Sequence, residues 1–215
     1  MILEGIEACL FDNDGVLVDS KQAVVKAWNK WGELANPGFV YTNRFHGRRA
    51  ADIVVEEVSE EEFAEAVRLI DELELQHADE TVALAGAIEL TSSIPKGKWN
   101  VCTSAYYELG IARLTAAGIE YPKEIVTADQ VTKGKPDGEP YRVGAERLGV
   151  EPAKCLVLED AIAGVQAGWA SGAGLVIGVG EEILEYTEKE IVISDLRGIS
   201  YVDGKFRLNE EYRLR

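Results

Sequence analysis

A chain of 215 residues, 47% of them hydrophobic, can bury one substantial core and a smaller inserted or appended unit. With 38 acidic against 22 basic residues the formal charge is −16, which opposes nucleic acid and anionic membrane surfaces as partners. A small phosphorylated metabolite is still allowed, because a few local cations and a metal can reverse the field inside a cleft.

The first apolar run, Ala8 to Phe11, has the length and character of a buried strand and ends in Asp12-Asn13-Asp14-Gly15. Asp19-Ser20 can cap a helix over residues 21–34, whose Ala23, Ala27, Trp28 and Trp31 share one apolar face, so the two tryptophans are expected in packing. Asn36-Pro37-Gly38 breaks that helix. A second helical stretch follows His46-Gly47-Arg48-Arg49, and a third is expected over 59–77, where Ser59 and Glu62 read as a capping box. From Thr81 the texture alternates: helix 86–93, strand 99–102, helix 106–117, strand 125–127, helix 139–148, strand 155–158, helix 162–170 and strand 174–179. Repeated units of this length predict an α/β fold, three layers around a mostly parallel sheet, with the helical segment inserted after the first strand. The tail around Asp203-Gly204 reads as a hairpin over 199–208, an added edge or a subunit contact.

No stretch approaches the ~18 uninterrupted apolar residues of a membrane span. The start lacks a basic segment followed by a long apolar one. Cys9, Cys102 and Cys155 lie in or beside apolar runs without metal-ligand spacing, and are expected as buried free thiols. A soluble, cytoplasmic protein is the resulting expectation, as a monomer or a weak homodimer.

In an open α/β sheet, ligands bind at the carboxyl ends of the strands. Asp12 and Asp14 follow the first strand, Thr103 and Ser104 the second, Lys133-Gly134-Lys135-Pro136 the third, and Glu159 and Asp160 the fourth. Alone, two aspartates one residue apart also fit an ordinary turn; arriving with hydroxyls, a lysine and two further carboxylates, they describe a site for phosphoryl transfer. The period of two in a strand sends Asp12 and Asp14 to one side, where they repel unless a cation lies between them. A hard divalent ion, Mg²⁺, resolves the repulsion and leaves a carboxylate oxygen free to attack phosphorus.

The four segments DNDGVLVDS, VCTSA, KGKPDGEPY and LVLEDAIAG, in that order, resemble the motifs of the haloacid dehalogenase-like hydrolases, over nearly the whole chain to about Val179. The resemblance implies a Rossmann-like core over residues 1–17 and 82–215, with 18–81 as a small α-helical cap domain of the sugar-phosphatase and phosphoglucomutase-like branch. FHGRRAADI, GKWNVCTSA and VTADQVTKGKPDGEPY look most similar to glycerol-phosphate and 2-deoxyglucose-6-phosphate phosphatases. Carried over, the resemblance implies Asp12 as the nucleophile that forms an aspartyl-phosphate and Asp14 as the acid, then base, that also gives its backbone carbonyl to Mg²⁺. It implies Thr103 as a donor to the phosphoryl group with Ser104 adjacent in the substrate site, Lys135 as its counter-charge, and Asp160 with Glu159, the latter directly or through water, as further metal ligands. Arg49 falls where that branch usually has an arginine and is the preferred cap contact; Arg48 is expected toward solvent. His46 could bond a substrate hydroxyl or serve structure alone, and Lys133 reads as an exposed loop lysine.

The implied activity is Mg²⁺-dependent hydrolysis of a small phosphate monoester, a glycerol or sugar phosphate. A phosphosugar mutase using the same two aspartates and a non-catalytic phosphometabolite-binding protein stand as alternatives. One departure bears on the site: Gly138 stands where the resembling proteins usually have proline, which is expected to loosen the loop that carries Lys135.

Overall fold

The computed structural model of the protein describes residues 1–188 and 190–215. The first apolar run forms β1 (Ala8–Phe11), buried throughout. A short β2 (Val18–Asp19) leads out to α1 (Lys21–Ala35), α2 (Ala50–Glu57) and α3 (Glu60–Gln76), and β3 (Val82–Ala83) leads back, pairing antiparallel with β2. Then follow α4 (Ala87–Ser93), β4 (Trp99–Val101), α5 (Tyr107–Ala116), α6 (Glu139–Leu148), β5 (Cys155–Glu159), α7 (Ile162–Ala170), β6 (Leu175–Val179) and β7 (Ile191–Ile193). A hairpin of β8 (Ile199–Val202) and β9 (Lys205–Leu208) follows.

Five strands make one parallel sheet in the order β4-β1-β5-β6-β7. Alternate strand residues face opposite ways, as the period of two requires. Cys9, Phe11, Leu156, Leu158 and Ile177 join Leu90 and Leu114 in one apolar cluster, while Ala8, Leu10, Val157 and Val176 join Tyr141, Ala145 and Val165 in another. The sheet therefore separates two helical layers, the expected three-layer α/β arrangement. A third cluster belongs to the helical segment: Trp28, Trp31, Phe45, Ile53, Val54 and Ile70 bury one another, and the Trp31 indole N–H donates to the Ala66 carbonyl at 2.8 Å. The three cysteines are buried and free.

β1 is the switch point of the sheet, with β4 on one side and β5 on the other. Phe11 is in register with both Val101 and Leu158, so Asp12, Cys102 and Glu159 emerge level at the carboxyl edge. The chain order of the motifs thus becomes a spatial convergence.

Three local expectations are corrected. Ser20 does not cap α1: its hydroxyl donates instead to Asp14 Oδ1 at 2.5 Å, a charge-assisted bond stronger than one to a neutral amide. Residues 125–127 form no strand, only a parallel bridge between Val126 and Cys102, because the Asn100 side-chain amide, rather than a ladder N–H, takes the Glu124 carbonyl. The tail hairpin forms as expected, with Asp203 and Gly204 both at positive φ, but it pairs with the amino terminus through the Ile2–Arg207 bridge instead of extending the main sheet. The edge strand β7 was not anticipated.

Candidate active site

Asp12 closes the β1 ladder, its N–H donating to the Leu158 carbonyl at 3.0 Å. The next turn is tight: the Asn13 carbonyl accepts from the N–H groups of Val16, Leu17 and Val18. That turn carries the Asp12 and Asp14 side chains to one cavity of about 60 Å³, whose walls include Trp28, Tyr41, Ile53 and Glu74 from the helical segment and Ser104 and Arg113 from the core.

The two aspartates have different partners. Lys135, fully buried, lies 2.8 Å from Asp12 Oδ1 and 2.6 Å from Glu159 Oε1. The Tyr141 hydroxyl also donates to Glu159 Oε1. Burial pushes the Asp12 carboxyl upward and Glu159 adds to it, against the pull of Lys135. Burial alone would lower the Lys135 ammonium, but Asp12 and Glu159 together hold it raised, so it stays charged. Asp14 instead receives the Ser20 hydroxyl and, at 3.0 Å, a nitrogen of Arg113, whose guanidinium also reaches Glu74 Oε1 at 3.1 Å. One carboxylate is thus tied to a lysine inside the core. The other faces the helical segment through an arginine.

The remaining expected residues divide. Thr103 is buried at the end of β4, its hydroxyl oxygen accepting from the Ala105 N–H at 3.1 Å. The Ser104 hydroxyl donates to the Gly47 carbonyl at 2.7 Å, joining core to helical segment. His46 lines the cavity and lies 2.7 Å from Asp160 Oδ2, whose charge raises the imidazole to about 9 against the opposing effect of burial. Arg49 stands outside that cavity: Asp52 holds its guanidinium at 2.7 and 2.8 Å, and it donates at 3.3 Å to the carbonyls of Val131 and Thr132. Arg48 lines the cavity in its place, with Glu56 as its partner. Lys133 is exposed, as expected.

Residues 6–172 match the family model described as haloacid dehalogenase-like hydrolase. The chain belongs to the haloacid dehalogenase-like hydrolases. It is 33% identical over 198 residues to hexitol phosphatase A of Escherichia coli K12, covering 89% of this chain and 92% of that one. It is 30% identical to glycerol-1-phosphate phosphohydrolase 2 of Saccharomyces cerevisiae, covering 80% and 74%. Its fold superposes on β-phosphoglucomutase of Clostridium difficile with a TM-score of 0.76 at 23% identity, over 89% of this chain and 92% of that chain.

Hydrolases of this family, by the motif resemblance, pair the two aspartates with a divalent cation, and the residues present fit one. Oxygens of Asp12, Glu159 and Asp160 lie within 4.8 Å of one another. Asp160 Oδ1 is buried without a hydrogen-bond partner. Gly15, at φ +82°, makes room for that carboxylate, since a Cβ there would stand 1.7 Å from Asp160 Oδ2. An all-oxygen, all-acidic set suits a hard cation such as Mg²⁺. Glu159 has both oxygens engaged, Oε1 by Lys135 and Tyr141 and Oε2 by the Ala161 N–H, whereas Asp12 and Asp160 each keep one oxygen without a donor among the described residues, which makes them the freer ligands.

Sequence reasoning missed Arg113, Glu74 and Tyr41. A signal existed for the first two: Arg113 follows Leu109 by four residues on the buried face of α5, and Glu74 follows Ile70 by four on that of α3. A charge inside an apolar stripe calls for a buried partner. Which partner depends on how the helical segment is seated on the core, and no local pattern carries that.

Proposed function

We propose that the enzyme is a Mg²⁺-dependent phosphatase that hydrolyses a small phosphate monoester, a glycerol or sugar phosphate, through an aspartyl-phosphate. The observation that carries this reading is the unlike pairing of two aspartates on one cavity: Asp12 with Lys135, Asp14 with Ser20 and Arg113. Asp12 Oδ1 is fixed by Lys135, while Oδ2 has no donor among the described residues and is the oxygen that attacks phosphorus. Asp14 enters the step protonated on Oδ2, the oxygen that neither Ser20 nor Arg113 engages, and gives that proton to the leaving oxygen as the phosphorus–oxygen bond to the alcohol breaks. Asp14, now a carboxylate, takes a proton from water; that water attacks phosphorus and releases Asp12 and inorganic phosphate. Lys135 and the Thr103 hydroxyl meet the charge on the phosphoryl oxygens. Asp12 and Asp160, with Glu159 and the Asp14 backbone carbonyl, would hold Mg²⁺, which supplies Lewis-acid stabilisation of that charge. The helical unit 18–81 acts as a cap that excludes water, with Ser104–Gly47 and His46–Asp160 as its contacts.

Relatives at 30% identity and above that span most of the chain are named as phosphatases or a phosphohydrolase, which favours hydrolysis over mutase chemistry. The test is phosphate release from a panel of glycerol, polyol, deoxysugar and hexose phosphates, with and without Mg²⁺ and with product sugars analysed. Metal-dependent release that Asp12→Asn abolishes is the expected result. Isomerised sugar phosphate without release would make the enzyme a mutase, and turnover unaffected by Asp12→Asn would sink the aspartyl-phosphate route.

A further inference from the structure

The wall of the cavity beyond Asp14 is made by Glu74, Tyr41 and Arg113, and all three have hydrogen-bonding capacity left over. Glu74 is 8% exposed; Oε1 takes Arg113, and Oε2 has no donor among the described residues. The Tyr41 ring stacks on Trp28 at 5.6 Å, and its hydroxyl has no hydrogen-bond partner among the described residues. Arg113 Nε is buried and lacks an acceptor. An alcohol hydroxyl both donates and accepts, and this wall offers a carboxylate acceptor and a phenol that does either, with the buried Arg113 behind them. The same wall has no cation to spare for a second anion. Arg113 is already between Asp14 and Glu74, Arg48 is held by Glu56, and His46 by Asp160.

Position matters as much as chemistry. Because one guanidinium spans Asp14 and Glu74, the Glu74 carboxylate sits one guanidinium away from the group that protonates the leaving oxygen. A leaving group that takes its proton from Asp14 therefore enters a cavity that Glu74 and Tyr41 also line. We propose that Glu74 and Tyr41, steadied by Arg113, form a leaving-group subsite that reads the hydroxyls of a neutral polyol and turns away substrates whose leaving group carries a carboxylate or a second phosphate. The subsite rests on the phosphatase reading above and narrows it to polyol monophosphates. Glu74 discriminates in two ways: it accepts from a hydroxyl, and it repels an anion in a cavity where water screens little.

A matched pair of substrates tests this, glycerol 3-phosphate against 3-phosphoglycerate, which differ by a hydroxymethyl group replaced with a carboxylate. The wild-type enzyme with Mg²⁺ is expected to favour glycerol 3-phosphate by at least about a hundredfold in kcat/KM. Glu74→Gln, which keeps the shape and removes the charge, should shrink that ratio by about tenfold or more, chiefly through faster turnover of 3-phosphoglycerate. Tyr41→Phe should raise KM for glycerol 3-phosphate, and it decides the matter alone if Glu74→Gln does not fold. A wild-type ratio near one, or a ratio that neither variant moves while glycerol 3-phosphate is still hydrolysed, overturns the subsite and leaves the phosphatase reading intact. Absence of phosphate release from every monoester in the panel overturns both.

Discussion

The guanidinium of Arg113 lies 3.0 Å from the Asp14 carboxylate, with its side chain only 3% exposed. Burial alone would lower an arginine, but Asp14 and then Glu74 outweigh it and keep the group charged. Arg113 therefore does two things at once: it orients Asp14 together with Ser20, and it holds the Glu74 carboxylate that α3 brings against the core, one cation shared between two acidic groups. Removal of either effect has a separate signature.

Arg113→Met leaves Asp14 and Glu74 buried without their shared cation, and loss of one partner from such a group costs roughly 3–5 kcal/mol. Urea denaturation should show that loss. Turnover of an alkyl phosphate, whose leaving alkoxide takes its proton from Asp14 in the proposed mechanism, should fall by up to about a hundredfold. Turnover of 4-nitrophenyl phosphate, whose leaving group needs no proton, should fall much less. Equal losses on the two substrates would assign Arg113 to packing alone.

Gly138 was expected to loosen the loop that places Lys135, yet Lys135 is fully buried between two carboxylates. The close approach of α6 to the end of α7 explains the glycine: a Cβ at 138 would stand 2.3 Å from the Ser171 nitrogen and 2.4 Å from the Ala170 carbonyl carbon. Gly138→Ala is expected to destabilise by about 1–3 kcal/mol, as overpacking does, and to slow turnover as Lys135 shifts. Denaturation and steady-state rates check both; undiminished stability would mean that the end of α7 yields freely.

What was legible in the sequence follows from the sheet. Asp12, Thr103, Lys135 and Asp160 each follow a segment that runs along a parallel sheet, whose carboxyl ends converge whatever the details of the loops. A chain-order reading is enough for such a site. The Arg113–Glu74 pair joins the core to the helical unit, and its partners are set by the seating of one on the other. Arg49 illustrates the same limit: beside Gly47 and Arg48 it reads as a substrate contact, but Asp52, one helical turn on, draws the guanidinium aside. Ser20 was misread because a carboxylate six residues back competes better for its hydroxyl than the helix amides do.

Asp71 gives the fold a pH dependence. Burial, with Glu74 and Glu108 adding to it, pushes its carboxyl up from 3.8 to about 7. Between those values the folded chain holds the proton and the unfolded chain does not, so stability falls as pH rises through the window and levels off above it. The group is only half-buried, and solvent screening keeps the effect small. Asp71→Asn should raise the melting temperature at about pH 8 and leave it nearly unchanged at about pH 4, measured in metal-free buffer. A variant that melts in parallel with the wild type at both values would exclude Asp71 as the source.

Arg49 ties α2 to the loop that leads into Lys135, through Asp52 on its own helix and the carbonyls of Val131 and Thr132 across the cleft. With the helical unit acting as the proposed cap, its place outside the cavity makes it a closure contact, and closure serves every substrate alike. Arg49→Ala is therefore expected to lower kcat/KM by a similar factor, about tenfold, for glycerol 3-phosphate and for 4-nitrophenyl phosphate, the effect of losing one or two hydrogen bonds from a charged donor. A loss confined to glycerol 3-phosphate would put the guanidinium on the substrate, which requires the Asp52 pair to open when the cavity is filled.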